Sequence, residues 1–288
     1  MTEQCMAFPA RRAEHGSRQG PGLGSREGSA DGVSRRRPRR LAVVAACCAA
    51  SVLSSLLCGC RDGDTERDAV GHYNRGLEHL EERRYGEAID AFSKAIERNP
   101  EFAEAYYRRG FAHAERREYD AAIRDQSEAI ELKPACVEAY SSRSYAYLKK
   151  HEYDAALRDA DKAIELNAAY AKAYLNRGAV HAIKERLDEA LRDFNRAVEL
   201  DPNLSRAYAN RGMWHAKQRN WDAAIEDLDT AVGLDLRDPA PRSIRAVAYA
   251  AKGDFDKAWA DVKASQRLGG EVPPAFLARL RKASGREE

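Results

Sequence analysis

The sequence repeats itself every 34 residues, and no other feature restricts its fold so tightly. Successive frames begin at Ala69, Ala103, Val137, Ala171, Ser205 and Pro239, in tandem and without an insertion. A fixed period of this length means one supersecondary unit copied along the chain, none of which can bury its apolar face alone. Within every frame the eighth residue is small (Gly76, Gly110, Ser144, Gly178, Gly212, Ala246) and the twentieth is alanine (Ala88, Ala122, Ala156, Ala190, Ala224, Ala258). The seventeenth is bulky (Tyr85, Tyr119, Tyr153, Leu187, Trp221, Phe255). Small residues let two helices approach near the low end of the ~8–10 Å packing range. Apolar residues at helical spacing, such as Leu191, Phe194 and Val198, mark the face that meets a neighbour. Pro100, Pro134 and Pro202 close three units and are expected to stop their second helices.

Tyrosine at position four (Tyr106, Tyr140, Tyr174, Tyr208), the small eighth residue, alanine at twenty and twenty-seven, and the closing proline together resemble the tetratricopeptide repeat. The resemblance covers residues 69–272, in units 69–102, 103–136, 137–170, 171–204, 205–238 and 239–272. It implies an all-α fold, a right-handed superhelical α-solenoid of six helix-turn-helix repeats. The last unit departs from the pattern, with Arg242 in the tyrosine slot and Gly270 in the proline slot. In the segment 273–288, Pro273 and Pro274 open a short helix expected through about Lys282. Phe276, Leu277 and Leu280 share a face there, suited to the capping helix that such arrays need for solubility.

Arginine fills position seven in all units (Arg75, Arg109, Arg143, Arg177, Arg211, Arg245). Aspartate fills position twenty-three in all but the first (Asp125, Asp159, Asp193, Asp227, Asp261); the first has Ala91 there, with Asp90 beside it. A guanidinium in a helix-packing slot is tolerable only if paired and hydrogen-bonded, so an Arg–Asp pair is expected within each unit or across neighbours. Histidine recurs at position eleven (His79, His113, His181, His215). Residues one repeat apart are separated by roughly 8–10 Å or more, whereas zinc ligands converge within about 2.1 Å of one ion. These histidines are expected to pack between helices, and no metal is expected. Residues 61–288 contain no Gly-rich phosphate loop, nucleophile elbow or metal-spaced cysteine motif, so no enzyme activity, cofactor or small-molecule substrate is expected.

In tetratricopeptide repeats the first helices of successive units line a concave groove that takes an extended peptide or a helix. Carried onto this sequence, the resemblance implies a partner-binding groove at Tyr73, Asn74, Tyr107, Arg108, Phe111, Tyr145, Lys172, Asn176, Arg206, Asn210, Met213 and Lys217. Asparagine offers both a donor and an acceptor to a peptide backbone. The aromatic residues weigh toward the N-terminal half, where core packing is their alternative role. The family's carboxylate clamp, which captures a terminal acid, is represented only by fragments around Lys172, Asn176, Asn210 and Lys217.

Ahead of the repeats, residues 35–40 read RRRPRR and Leu41 to Cys60 carries no charge, the plan of a secretory signal. Leu57-Cys58-Gly59-Cys60 resembles the lipobox of bacterial lipoproteins, which implies cleavage before Cys60 and lipidation of that cysteine. The alternative is an uncleaved anchor over 41–59. A spanning helix needs about 20 mostly apolar residues, and this run holds Ser51, Ser54 and Ser55. Either arrangement puts the repeats on the periplasmic or extracytoplasmic side of a bacterial cell envelope. Residues 1–40 form a basic extension without apolar periodicity, expected to be disordered, and 61–68 are expected to be a linker. Residues 61–288 carry 39 basic and 42 acidic side chains, so they lack the electrostatic footprint of nucleic-acid binding. The expectation is a membrane-anchored protein–protein interaction scaffold that binds a protein or peptide in its groove. The alternative is a structural accessory subunit of an envelope complex, docking through the convex surface.

Overall fold

The computed structural model describes residues 61–286, which form thirteen helices and no strand. Helices α1 (Arg61–Glu81) and α2 (Tyr85–Arg98) make the first unit, and α3 (Ala103–Glu115) and α4 (Tyr119–Leu132) the second. Then come α5 (Val137–Lys149) with α6 (Tyr153–Leu166), and α7 (Ala171–Ile183) with α8 (Leu187–Leu200). The last two units are α9 (Ser205–Lys217) with α10 (Trp221–Leu234), and α11 (Ala240–Ala251) with α12 (Phe255–Arg267). A final helix, α13 (Pro274–Ser284), packs Phe276 and Leu280 onto Trp259 and Val262 of α12.

One boundary differs from the sequence reading. Residues 61–68, expected as a linker, are the opening turns of α1. The stretch RDGDTERD holds no proline that would break a helix. Eight helical residues span about 12 Å, against about 29 Å for an extended linker of that length. The extension 1–40 and the segment 41–60 with Cys60 lie outside the described residues. Among the described residues, no helix is long and apolar enough to cross a membrane.

First helices of successive units pack side by side, α3 on α5, α5 on α7, α7 on α9 and α9 on α11. No two second helices pack with comparable closeness among the described residues; each lies instead between the first helix of its own unit and that of the next. A stack closer on one side than on the other curves, and the first helices form its inner wall.

Both turns are encoded by single positions. Between the helices of a unit, residue fifteen is left-handed, at Arg83, Arg117, His151, Glu185 and Arg219 with φ of 57° to 63°, and Gly253 takes the same role in the last unit. The N–H of residue sixteen then bonds the carbonyl of residue eleven, as in Arg186 to His181 at 2.9 Å, which closes the first helix in a Schellman geometry. Between units, residue thirty-one ends the second helix. Asn99, Asn167, Asp201 and Asp235 accept the backbone N–H two residues on, at 2.9–3.0 Å. Helix α6 stops at Leu166 and α10 at Leu234 without any proline, so this Asx turn carries the stop that the sequence reading gave to proline alone.

Within a unit the small eighth residue meets residue twenty-four. A Cβ at Gly178 would stand 2.9 Å from the Phe194 ring. Where the eighth residue is larger, its partner shrinks: Ser144 faces Ala160, and Ala246 faces Val262. A small residue at position eight, glycine or not, is what lets the two helices approach.

A ladder of arginines ties the units together. Arg109, Arg143, Arg177, Arg211 and Arg245 each donate Nε and Nη2 to the two carboxylate oxygens of the aspartate sixteen residues on, at 2.7–2.9 Å. Nη1 reaches back to the preceding unit's second helix, to Ser93, Ser127, Asp161, Asn195 and Asp229 respectively. The tyrosine at position four lies over each guanidinium from Arg109 to Arg211, 5.4–5.6 Å from ring centre to Cζ. The expected pair is absent from the first unit. Arg75 is exposed and donates instead to the Gly71 carbonyl and to His72, because Ala91 offers no carboxylate and no second helix precedes it among the described residues.

Candidate functional site

The inner wall holds a cleft of about 440 Å³ across the first helices of the third, fourth and fifth units. Six of the residues expected in the groove line it together: Tyr145 from α5, Asn176 from α7, and Arg206, Asn210, Met213 and Lys217 from α9. Leu148, Lys149, Ala179, Ala182 and Ile183 complete its central wall. They occupy positions nine, twelve and thirteen of their units; Tyr145 and Met213 hold position nine and Lys217 position thirteen. Their place in the repeat is therefore the signal that marks them in the sequence.

The other six residues lie elsewhere. Tyr73 packs its ring 5.6 Å from Phe92 and 4.9 Å from Phe102, so it serves the junction of the first two units. Tyr107 packs against Ala129, Cys136 and Ala139, with Arg108 resting over its ring at 5.1 Å. Asn74 and Lys172 are exposed and Phe111 is half-buried, outside the cleft. The aromatic N-terminal half is therefore largely spent on packing, which the sequence left open.

Asn176 is buried, and its Nδ2 donates to the Ser141 carbonyl at 2.8 Å, binding α7 to α5. The carbonyl partner fixes which side of the amide points there, since only nitrogen can donate. Nδ2 also donates to Ser141 Oγ at 3.4 Å, so a two-way grip on a peptide by Asn176 is reduced to its oxygen. Tyr145 sits beneath two cations, with Lys149 Nζ 5.3 Å and Arg206 Cζ 4.6 Å from its ring centre. Burial holds the Tyr145 phenol above its ordinary value. Desolvation, then the charges of Arg206 and Arg117, hold Lys149 below the ordinary lysine range. No carboxylate lines the cleft, and Ile183 is 49% exposed in its wall. The chemistry on offer is cationic at the rim and aliphatic at the floor, with one backbone-reading oxygen from Asn176.

His113, His181 and His215, at position eleven, face the ladder, whereas His151, at position fifteen, lines the cleft. Nε2 of His113, His181 and His215 lies 3.9 Å from the ladder aspartate of its unit. Nδ1 of His79, His181 and His215 is buried without a partner. Burial is the leading cause that lowers the pKa of His181 and His215 from 6.5.

A family profile described as tetratricopeptide repeat matches residues 73–135 and 210–273, and a second of the same description matches 171–204; together they cover more than half of the chain. No curated protein matches the sequence significantly. Among solved structures, one chain of the APC/C hetero-tetramer Cut9-Hcn1 aligns with a TM-score of 0.69 and 20% identity, over 81% of this chain and 45% of that one. This chain thus spans less than half the length of that relative. A tetratricopeptide repeat protein from Parabacteroides merdae aligns with a TM-score of 0.60 and 19% identity, over 76% and 84% of the two chains. TTC0263 from Thermus thermophilus, a thermophilic protein of the same repeat, aligns with 0.53 and 23%, over 63% and 98%.

Proposed function

Because the chain belongs to the tetratricopeptide repeat family, we propose that it is a protein–protein interaction scaffold, anchored at a bacterial envelope membrane, that holds a partner segment in the groove formed by α5, α7 and α9. The observation that carries this reading is the cleft itself. Side chains from three successive units meet there, and they leave cations and an aliphatic side chain open to solvent at the centre of the inner wall. Exposed apolar surface rimmed by polar groups marks an interaction site. The anchor is the uncharged segment before Cys60, through lipidation of that cysteine or through the segment 41–59. Since Arg61 is already part of α1, such an anchor would hold the repeats close to the membrane.

A photo-crosslinking residue placed at Met213, in cells that make the chain at native level, tests the scaffold reading. The expected result is capture of a defined protein from Met213 and none from Arg192, an exposed site on the second helix α8. Capture from Arg192 alone would transfer the role to the convex surface, and capture from neither would refute a scaffold. Mass spectrometry of the mature N-terminus with and without Cys60→Ala tests the anchor; an intact peptide across Gly59–Cys60 excludes lipidation.

A further inference from the structure

We infer that the cleft takes an internal segment of a partner protein that presents an acidic side chain beside a bulky apolar one. This rests on the groove reading above and adds the chemistry of the occupant.

Three observations support it. Lys149, Arg206 and Lys217 meet at the cleft with no carboxylate lining it. Four other lysines on the repeats are matched from within the chain, Lys133 by Glu104, Lys150 by Asp120, Lys184 by Asp154 and Lys252 by Asp222. A cation cluster that the fold leaves unmatched, two of whose members rest on the ring of one half-buried tyrosine, is complementary to an anion brought from outside. Beside the cations, Leu148, Ile183 and Met213 share the same 440 Å³. That volume falls within the ~300–1,000 Å³ of ordinary ligand sites and suits a few residues of peptide, so the charge and the apolar group must be close in the ligand.

Asn176 decides between an internal segment and a chain terminus. Its amide nitrogen is taken up by Ser141, through the carbonyl at 2.8 Å and Oγ at 3.4 Å, so what it offers a ligand is an oxygen. An oxygen can accept a backbone N–H of a continuing chain, whereas a clamp on a terminal carboxylate needs an N–H donor at this position.

The test is fluorescence anisotropy with the full purified chain and labelled peptides blocked at both ends. The probes carry a central Leu-Glu-Leu, Leu-Gln-Leu or Gly-Glu-Gly, and a fourth ends in Leu-Glu-Leu with a free carboxyl terminus. The expected result is binding of the blocked Leu-Glu-Leu peptide, weakened at least about tenfold by either replacement and by 0.5 M salt, which screens exposed charge beyond about 4 Å. Arg206→Glu should lose this peptide and gain its Leu-Lys-Leu counterpart, and that gain separates a changed site from an unfolded variant. Equal binding of the three blocked peptides, binding that needs the free terminus, or no binding overturns the inference. If crosslinking at Met213 still captures its partner when Lys149→Glu and Arg206→Glu are combined, the groove reading stands and the acidic occupant falls.

Discussion

Replacing Arg177 by alanine should cost about 3–5 kcal/mol, the range measured when one member of a buried ion pair is removed. Arg177 holds both oxygens of Asp193 at 2.8–2.9 Å and reaches Asp161 at 2.8 Å. Asp193 is 5% exposed, so its carboxylate cannot be rehydrated in place. Asp161 is largely exposed, and its pairing adds little because water screens it. The loss should therefore come from the stranded Asp193. Its remaining titratable neighbour is His181, with Nε2 at 3.9 Å. This fixes the pH dependence. An unpaired buried carboxylate has a folded pKa above its unfolded value of about 3.9, so its penalty is present at pH 8 and shrinks as pH falls toward the raised value. Protonation of His181, which burial displaces to lower pH, would relieve it further as pH falls, and His181→Phe in the same background should remove that part. Arg177→Met with Asp193→Leu should recover most of the loss, since an apolar pair replaces an ion pair of similar volume. Urea unfolding followed by circular dichroism, at pH 5 and pH 8, measures all of these. A loss under about 1 kcal/mol that is the same at both pH values would mean that the guanidinium does not hold a buried charge, and the reasoning fails.

Gly178→Ala should cost about 1–3 kcal/mol by overpacking against Phe194. Adding Phe194→Val should cost less than the two single changes summed, read as a non-additive urea midpoint; strict additivity would separate the two positions. Glu185→Gly relieves a left-handed residue at φ 58°, worth about 1–2 kcal/mol, against about 0.5–1 kcal/mol of added chain entropy, so the thermal midpoint should rise by a few degrees. No change or a fall would show that Glu185 makes compensating contacts. His181 and His215 have lowered folded pKa values, so the unfolded chain binds more protons just below pH 6.5 and stability should fall as pH drops through that value. His181→Phe with His215→Phe should flatten that slope, and an unchanged slope would assign it to other groups.

The period of the sequence reports nearly the whole fold because each unit solves the same packing problem with the same positions. The ladder was legible for a physical reason: an arginine at position seven and an aspartate at twenty-three have no other use in a packed helix pair. What the sequence hid was the third arm of each arginine, because Ser93, Ser127, Asp161, Asn195 and Asp229 share only the capacity to accept a hydrogen bond. The turns were half legible. Proline at thirty-two is conspicuous, whereas the acceptor at thirty-one acts through a local side-chain bond that leaves no apolar pattern. The groove was legible by position and not by chemistry. Tyr73 and Tyr145 look alike in sequence, yet one is clasped by Phe92 and Phe102 while the other lines the cleft; the difference lies in neighbours from other units.

The ladder also bears on where the stack can end. A seventh unit behind α12 would bring its own arginine against position twenty-five of the sixth, where every other unit has an acceptor and this one has the exposed Lys263. Two cations would then meet at a packed junction, and α13 covers the apolar face that a further unit would need, with the Trp259 indole donating to Ser284 at 3.1 Å. At the other end Arg75 turns back on its own helix, to the Gly71 carbonyl, and makes no demand on a preceding unit. Lys263→Asp with α13 deleted restores both conditions for stacking, acceptor and open face, and should convert the array to a concentration-dependent oligomer by sedimentation. Deletion of α13 alone should oligomerise less, because the open face would still meet Lys263; equal association of the two would show that the apolar face alone limits the stack.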